Sequence, residues 1–535
     1  MSSEFVGAEL PSPFIPGAVE WENLRDLMRT HRLPQDTSRL EATILAAPAL
    51  LKRYDIEINQ LREGLDQERL ARLISERDGL ASYTEGCRSI LSPVHRLPNE
   101  LLSEIFHCCF PSELYRIVER ITSVQEIDRL SHRHLLRLAQ VSSRWYRIAM
   151  DTPKLWSTIA VDTSLWPVCL DRVSLETLLN WLELALTRGR GHALELQVGV
   201  TTQYGDTLFE LLSQHACRWQ TLYIWSSSPQ PSKTLSNAFG RLDRLERLEL
   251  DVMWENVDVF QSAPLLKEVS FPGDNLPQLP WDQIQMCTYR TSGITHTWFS
   301  PFSLLNLATN ATTFSFSLDL RDLDMDQPAN LDIQSNVEHL SFRLSTSNSA
   351  AVGQLLDCLT LPSLKSLSVQ HPVATAPPVW CSNNFLTLAA RSGFGQHLKR
   401  LSIHAAVEDT ELLRCLVVLL QLEELIIVDC PSLDVGHAVV TDTFLRALIS
   451  DFNSAPLMPK LRLLGLRSLL EFSDPLYIDL VASRAEKLHV DGNGPFKANL
   501  WWRPARRRDA SVEMLDELAQ LVSKGLLIFD SGEGK

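Results

Sequence analysis

The spacing of apolar residues divides the chain into three kinds of segment. From Leu40 to Leu91, Leu51, Tyr54, Ile58, Leu61 and Leu65 step by three and four, then the seam slips and resumes at Leu70, Leu73 and Leu80. That period predicts a long amphipathic helix over residues 40–93, charged on its other faces and ended by Pro93. Two readings of its apolar seam stay open, a coiled-coil homodimer through residues 51–80 and a helix packed on its own chain. Before it, residues 1–39 carry Pro11, Pro13, Pro16 and Pro34 among short mixed segments, which predicts a tail without a core.

From about Ile159 onward a different pattern dominates, a short strand with the spacing apolar-x-x-apolar-x-apolar, followed each time by a loop or a helical stretch. Clear copies are Leu245/Leu248/Leu250, Leu266/Val269/Phe271, Leu364/Leu367/Val369, Leu398/Leu401/Ile403, Leu422/Leu425/Ile427 and Leu461/Leu464/Leu466. Weaker copies are Gly191/Leu194/Leu196, Trp219/Leu222/Ile224, Met286/Tyr289/Thr291, Ala311/Phe314/Phe316, Val337/Leu340/Phe342 and Ala485/Leu488/Val490. Helical segments such as Val173–Thr187, Leu208–His215, Val352–Leu359, Leu412–Leu420 and Phe444–Ile449 lie between them. One strand with one helix cannot bury its apolar side alone, whereas stacked copies share a continuous core. The expected fold class is therefore α/β, a leucine-rich-repeat solenoid over residues 161–495 with a curved parallel sheet. Residues 496–535 are expected to be a basic loop and a capping helix, Asp509–Lys524, with Asp509 as N-cap and Gly525 after it.

Between these segments, residues 94–160 read as a small all-α bundle. Pro98 suits a first helical turn because its missing N–H has no partner there, and Glu100 lies where the positive helix end favours an anion. Leu101/Ile105 and Leu102/Phe106 make adjacent i, i+4 pairs. A second helix is expected at Leu135–Met150, with Leu138, Val141, Trp145 and Ile148 on one face and Asp151-Thr152-Pro153 stopping it. Leu114, Ile117, Val118 and Ile121 fall at helical spacing in the stretch between the two helices, so an extra helix is expected there.

Three stretches in this bundle carry a resemblance: Leu-Pro-x-Glu-Leu-Leu-x-x-Ile-Phe from Leu97, Leu-x-x-Val-Ser-x-x-Trp-x-x-Ile-Ala from Leu138, and Pro-x-Leu-Trp from Pro153. Together they resemble an F-box over about Val94 to Val161. The whole arrangement is similar to a fungal type in which a helical segment precedes the F-box and degenerate leucine-rich repeats follow. The resemblance implies that Leu97, Pro98, Leu101, Leu102, Ile105, Phe106, Val141, Trp145 and Ile148 build or present the surface that grips a Skp-family adaptor, and through it a cullin. Part of that set must be core, with Trp145 internal and Leu97–Pro98 at the interface. The spacer between the two helices is longer than in a minimal F-box.

Composition narrows the functions. The formal charge of −15 and the sequence pI of about 5.5 argue against a general nucleic-acid binder, which needs a basic face to displace counterions. The one basic stretch with aromatics, Trp501 to Arg508, reads as a charged loop. The start lacks a cationic and apolar leader and no run reaches membrane-spanning length, so a cytoplasmic or nuclear location is expected. Ten cysteines scattered through so large a chain suit reduced thiols better than a disulfide framework. There is no G-x-S-x-G, H-E-x-x-H, C-x-x-C or complete G-x-G-x-x-G, so neither catalysis nor a cofactor or metal is expected. His107-Cys108-Cys109 reads as core packing, because three adjacent helical residues cannot converge on one ion.

In a strand, side chains alternate, so the third, fifth and seventh positions of each repeat should line the concave face. The candidates for holding an unidentified target protein are Tyr223, Trp225, Arg290, His339, Arg343, Arg400, His404 and Arg467. Arg343, Arg400 and Arg467 suit an acidic or phosphorylated peptide. The expected role is the target-recognition subunit of an SCF-type ubiquitin ligase. A scaffold of the same fold acting outside a ligase is the alternative, with a nucleic-acid-associated repeat protein behind it.

Overall fold

A computed structural model describes residues 17–30, 37–62, 66–109, 133–163, 175–200, 204–226, 233–252, 257–273, 276–291, 300–319, 332–345, 351–372, 377–430, 439–449, 457–503 and 509–533. The chain divides into two compact units, Met1–Val161 with Asp171–His192, and Asp162–Leu170 with Ala193–Lys535.

The first unit is helical. The expected tail contains a helix, α1 (Ala18–Thr30), and the expected single long helix is two, α2 (Ser38–Leu61) and α3 (Gln67–Leu91). The slip in the apolar seam is the turn between them. Asp66 caps α3 by accepting from Arg69 N at 3.1 Å, which starts a new helix where a continuous one was expected. Tyr54, Ile58 and Leu80 are buried together with Leu50, Leu51, Leu70 and Leu73 around them, and Arg77 reaches Asp55 at 3.1 Å across the hairpin. Of the two readings of the seam, the structure has the helix packed on its own chain, because folding back buries the side chains that a coiled-coil partner would cover. On α1, Trp21, Leu24 and Leu27 pack against Tyr83, Cys87 and Ile90 of α3. A Cβ on Gly86 would stand 2.7 Å from Leu24 Cδ2, so a larger residue there would make the Leu24 side chain shift. The prolines expected in the tail at 11, 13, 16 and 34 lie outside the described residues, as does the extra helix expected around Leu114–Ile121.

After a 3-10 turn, Pro93–Arg96, follow α4 (Asn99–Cys108), α5 (Arg133–Ala139) and α6 (Ser143–Asp151). Another 3-10 turn, Pro153–Trp156, a short strand, Thr158–Asp162, and α7 (Leu175–Arg188) follow. Trp156 is buried, donates from its indole nitrogen to Ala149 O at 2.7 Å, and lies 5.1 Å beneath the Arg188 guanidinium.

The large element of the chain is a 14-stranded sheet whose described pairings are all parallel. In the second unit its strands follow one another in chain order, from Leu194–Val200 and Trp219–Ser226 to Phe496–Trp502 and Leu527–Glu533. Among the described residues, only the two-residue strands Ile333–Gln334 and Leu359–Thr360 stand apart, paired with each other. One core column runs through the register: Leu248, Val269, Cys287, Phe314, Leu340, Leu367, Leu401, Leu425 and Leu464. Beside it Phe271, Tyr289, Phe316 and Phe342 form a ladder of rings with centroids 5.8–6.4 Å apart. Buried side chains of this size contribute roughly 1.5–3 kcal/mol each, which explains why the apolar spacing recurs.

The clear copies of the six-residue pattern fall on this register, and three weak ones do not. Met286/Tyr289/Thr291 is displaced by two, since Cys287 takes the central place opposite Val269. Gly191/Leu194/Leu196 is displaced likewise, with Leu196 opposite Leu222. Ala485/Leu488/Val490 is not a strand but the end of helix Asp474–Val490, where Val481, Ala485 and Leu488 are buried at helical spacing. The strand is Phe496–Trp502, so the sheet continues where a basic loop was expected, and Leu527–Glu533 adds another strand after it. The helix between them is Val512–Ser523, capped by Ser511, not Asp509, through a bond from Met514 N at 3.2 Å.

Buried polar groups fasten this stack. Asp429 accepts from Val439 N, Val440 N, Leu469 N and Ser468 Oγ at 2.8–3.0 Å, joining two neighbouring strand ends. Burial pushes its carboxyl above the usual range, against the pull of those four bonds. Arg484 donates to the carbonyls of Leu448, Leu457 and Met458, satisfying a connection that packing alone would leave unpaired.

Candidate functional site

The candidate adaptor surface begins where Pro98 ends the extended segment after the first 3-10 turn. Pro98 stands just ahead of α4, not within its first turn, and its carbonyl accepts from Leu102 N at 3.1 Å. The i, i+4 pairs of α4 then divide. Leu102 and Phe106 are fully buried, while Leu101 and Ile105 on the neighbouring face are 52% and 44% exposed. On the second helix Ser142 caps α6 by accepting from Trp145 N at 3.1 Å. Ile148 is buried, Val141 is 61% exposed, and the half-buried Trp145 ring lies 4.8 Å from Phe106. Leu97 is half-buried and Pro98 exposed. The nine candidates thus separate into a core of Leu102, Phe106 and Ile148, the half-buried Leu97 and Trp145, and an outward set of Pro98, Leu101, Ile105 and Val141. Leu136 and Tyr146 are further exposed apolar side chains on α5 and α6.

Arg144 organises this region and carries no motif signal beyond its place in Ser-Ser-Arg-Trp. Its guanidinium donates to His95 O at 3.0 Å, to Asn99 Oδ1 at 2.9 Å and to Leu97 O. It therefore ties α6 to the segment that presents Leu97 and Pro98. Burial and then the Arg144 charge push the His95 imidazole below its ordinary pKa. Lys154 closes the other side with an ion pair to Glu104 at 3.1 Å. At the foot of α4, Cys108 and Cys109 are exposed, not core.

A cleft of about 670 Å³ adjoins the surface, bounded by Leu27 and Met28 of α1, Arg88 and Ile90 of α3, His95, and Val141 and Trp145. The helices before residue 94 and the F-box-like helices thus build a shared wall, which no spacing rule in either segment announces.

On the sheet, the eight candidate target-binding residues fall into three situations. Tyr223 is buried against the half-buried Trp225, ring centroids 5.0 Å apart, so it belongs to packing and not to an open face. Arg290 is held by Glu249, two strands away, at 3.0 Å, and Arg400 by Glu424 of the adjacent strand at 3.0 Å. His339 is half-buried at a strand start, and Arg343 is exposed with a single long bond of 3.4 Å to Gln370. Arg467 is exposed with its guanidinium 5.5 Å from the centre of the Trp501 ring. His404 is half-buried, its ring 5.5 Å from that of His371 and its Nε2 sealed from solvent without a hydrogen bond. Burial, His371, Arg503 and Arg467 together push its imidazole down to about 4. Arg503, read at first as part of a basic loop, reaches back to donate to Asp429 O. Arg506, Arg507 and Arg508 lie outside the described residues.

Among the described residues no helix is long and apolar enough to cross a membrane. Comparison of the chain with curated proteins returns no match. Residues 94–162 match the F-box-like family model, the region in which α4, α5, α6 and the buried Trp156 lie, so the chain carries an F-box-like domain there.

Proposed function

We propose that the protein is a non-enzymatic target receptor of an SCF-type ubiquitin ligase. Its F-box-like region binds a Skp-family adaptor, which F-box domains generally do, and brings a cullin with it. The strand and helix units behind it act as a leucine-rich-repeat solenoid whose sheet face holds a target protein. The observation that carries this reading is the outward apolar set, Leu101 and Ile105 on α4 and Val141 in the turn before α6, within the residues that match the family. Exposed apolar side chains on a helix and the turn before another fit a partner surface better than a solvated one. The chain itself does no covalent chemistry. It raises the local concentration of target beside the transfer machinery, in the cytoplasm or the nucleus.

The test is capture of purified adaptor by the full chain and by Leu101→Ser/Ile105→Ser/Val141→Ser. These side chains are exposed, so the variant keeps its unfolding midpoint within about 0.5 kcal/mol of the parent. Adaptor binding falls by at least about a hundredfold if each lost apolar contact contributes 1 kcal/mol or more. Equal capture by parent and variant assigns the surface elsewhere. An adaptor that binds neither protein leaves the scaffold reading in place of the ligase.

A further inference from the structure

A stack of strands seals its core only where a neighbour lies on each side. In Phe496–Trp502 the core-side residues Phe496, Ala498 and Leu500 are fully buried between two strands. In Leu527–Glu533, the last strand of the sheet, Leu527 is buried but Phe529 is only half-buried. Among the described residues no strand pairs with its outer side. Phe496 N donates to Leu526 O at 3.0 Å, and the parallel register runs unbroken from Phe496 opposite Leu527 to Trp502 opposite Glu533. Successive residues of a strand turn their N–H and C=O to opposite sides, so Ile528 and Asp530 bond inward as Leu526 does. Leu527, Phe529 and Ser531 therefore present their backbone donors and acceptors outward. Proteins usually blunt such an edge with proline, lysine, a bulge or a very short strand. This one is seven residues long, has neither proline nor lysine, and pairs without a register shift.

The charge around this edge has one sign. From Asp509 to Glu533 the sequence sets Asp509, Glu513, Asp516, Glu517, Asp530 and Glu533 against Lys524 alone. Glu513, Asp516 and Glu517 are exposed on the helix before the strand, and Asp530 is exposed on the strand beside Ile528, itself 49% exposed. A Cβ at Gly532, on the same side of the strand as Asp530, would meet nothing within 4 Å. We propose that the outer edge of Leu527–Glu533 docks an extended basic segment of a partner protein, which joins the sheet as a further strand.

The alternation of the edge dictates the chemistry of its guest. One set of the guest's side chains lies beside Leu527 and Phe529 and finishes covering the Phe529 ring, a place for valine or isoleucine. The other set lies in solvent beside Ile528 and Asp530. A lysine or arginine there lays its apolar stem along Ile528 and its charge near Asp530. A second copy of this chain is the poorer guest, because it brings the same acids and a net charge of −15 against its own kind. The docking edge goes beyond the target-receptor reading, since it uses the rim of the sheet and not its face and needs no adaptor.

The full chain is titrated into a fluorescent, capped peptide, Lys-Val-Arg-Val-Lys-Val, and binding is read by anisotropy. One comparison peptide has glutamate in place of the three cations. Another is N-methylated along its backbone, which removes its donors and keeps its charge. The expected result is binding of the cationic peptide, weakened at least about tenfold by either change. Asp530→Lys weakens it roughly tenfold. Ser531→Pro does the same or more, at an outward position where proline breaks no bond to the sheet. Arg343→Gln, on the sheet face, leaves binding unchanged. In the parent, the peptide slows hydrogen exchange at the Phe529 and Ser531 amides. A peptide that does not bind overturns the proposal, as does one that binds equally well when N-methylated or survives both edge substitutions. If Ser531→Pro unfolds, the exchange of those two amides decides, and unprotected amides overturn the docking edge. A dimer of the parent in sedimentation that Ser531→Pro dissolves puts a second copy on the edge and overturns the basic guest. Adaptor capture in the same samples is read separately, so its loss counts against the ligase reading and not against this edge.

Discussion

In α4, adjacent i, i+4 pairs send Leu102 and Phe106 inward and leave Leu101 and Ile105 in solvent, with Val141 exposed in the turn before α6 and Ile148 buried on it, whereas the sheet seals its apolar column strand after strand. The F-box-like helices thus use apolar side chains on two sides of a small bundle. The sheet confines them to one side and gives the other to serine, arginine, glutamate and histidine. Where partners meet apolar surface, truncation weakens binding without changing charge. A partner on the sheet, as proposed, would instead respond to charge and salt. The two regions of one chain are therefore separable by the kind of perturbation each responds to.

The hardest blow to either region falls on its buried anchors, and each should weaken its own unit. Phe106→Ala removes a ring that is fully buried against Trp145, at a cost of about 3–5 kcal/mol. Arg484→Met removes the donors to three buried carbonyls, at a cost on the order of 3–5 kcal/mol. Differential scanning calorimetry should show each substitution lowering a different transition. A single transition lowered equally by both would show that the units unfold together and that the comparison is only geometric.

A smaller effect sharpens the contrast. Arg144→Met loses charged bonds to His95 O, Leu97 O and Asn99, about 2–3 kcal/mol in the helical unit. It also frees the segment that presents Leu97 and Pro98, so adaptor capture should fall more than the exposed face alone predicts. Urea unfolding of the variant beside its adaptor affinity separates the two consequences. Loss of stability with unchanged affinity would make Arg144 a brace for the core and not for the surface.

The period of the strands was legible because a repeated pattern of buried side chains states itself many times, and the same spacing at Leu248, Leu367 and Leu425 needs no tertiary knowledge. The helix ends were not. Asp66 gave no more warning than any aspartate between apolar runs, yet it turns one expected helix into two. Val490 closes an apolar triplet that fits the strand spacing, but Val481, Ala485 and Leu488 bury at helical spacing, and the longer period prevails. At the candidate sites, residue types were readable and partners were not. Arg290, Arg400 and Arg467 look alike in sequence, and only the register decides which of them meets an acid. Arg144 and Arg503 act over separations of 45 or more residues, beyond any local pattern.

The smallest effect tests the charged end of the sheet by pH. His404 has its imidazole held near 4 by burial, His371, Arg503 and Arg467, whereas the unfolded chain has the ordinary value near 6.5. A base whose folded pKa lies below its unfolded one takes up protons more readily when unfolded. Its contribution is therefore intact above about pH 6.5 and is lost as pH falls toward 4. Because the ring is only half-buried, solvent screening reduces the full linkage, leaving about 1 kcal/mol lost between pH 7.5 and 5. Urea midpoints at the two pH values should show that loss in the parent and not in His404→Asn. His95 in the F-box-like unit has the same direction of shift from burial and Arg144, so His95→Asn should leave the sheet's share of the slope untouched. If the His404 substitution leaves the slope intact and the His95 substitution removes it, the pH response belongs to the helices, and the cluster around Arg467 and Arg503 does not govern the imidazole beside it.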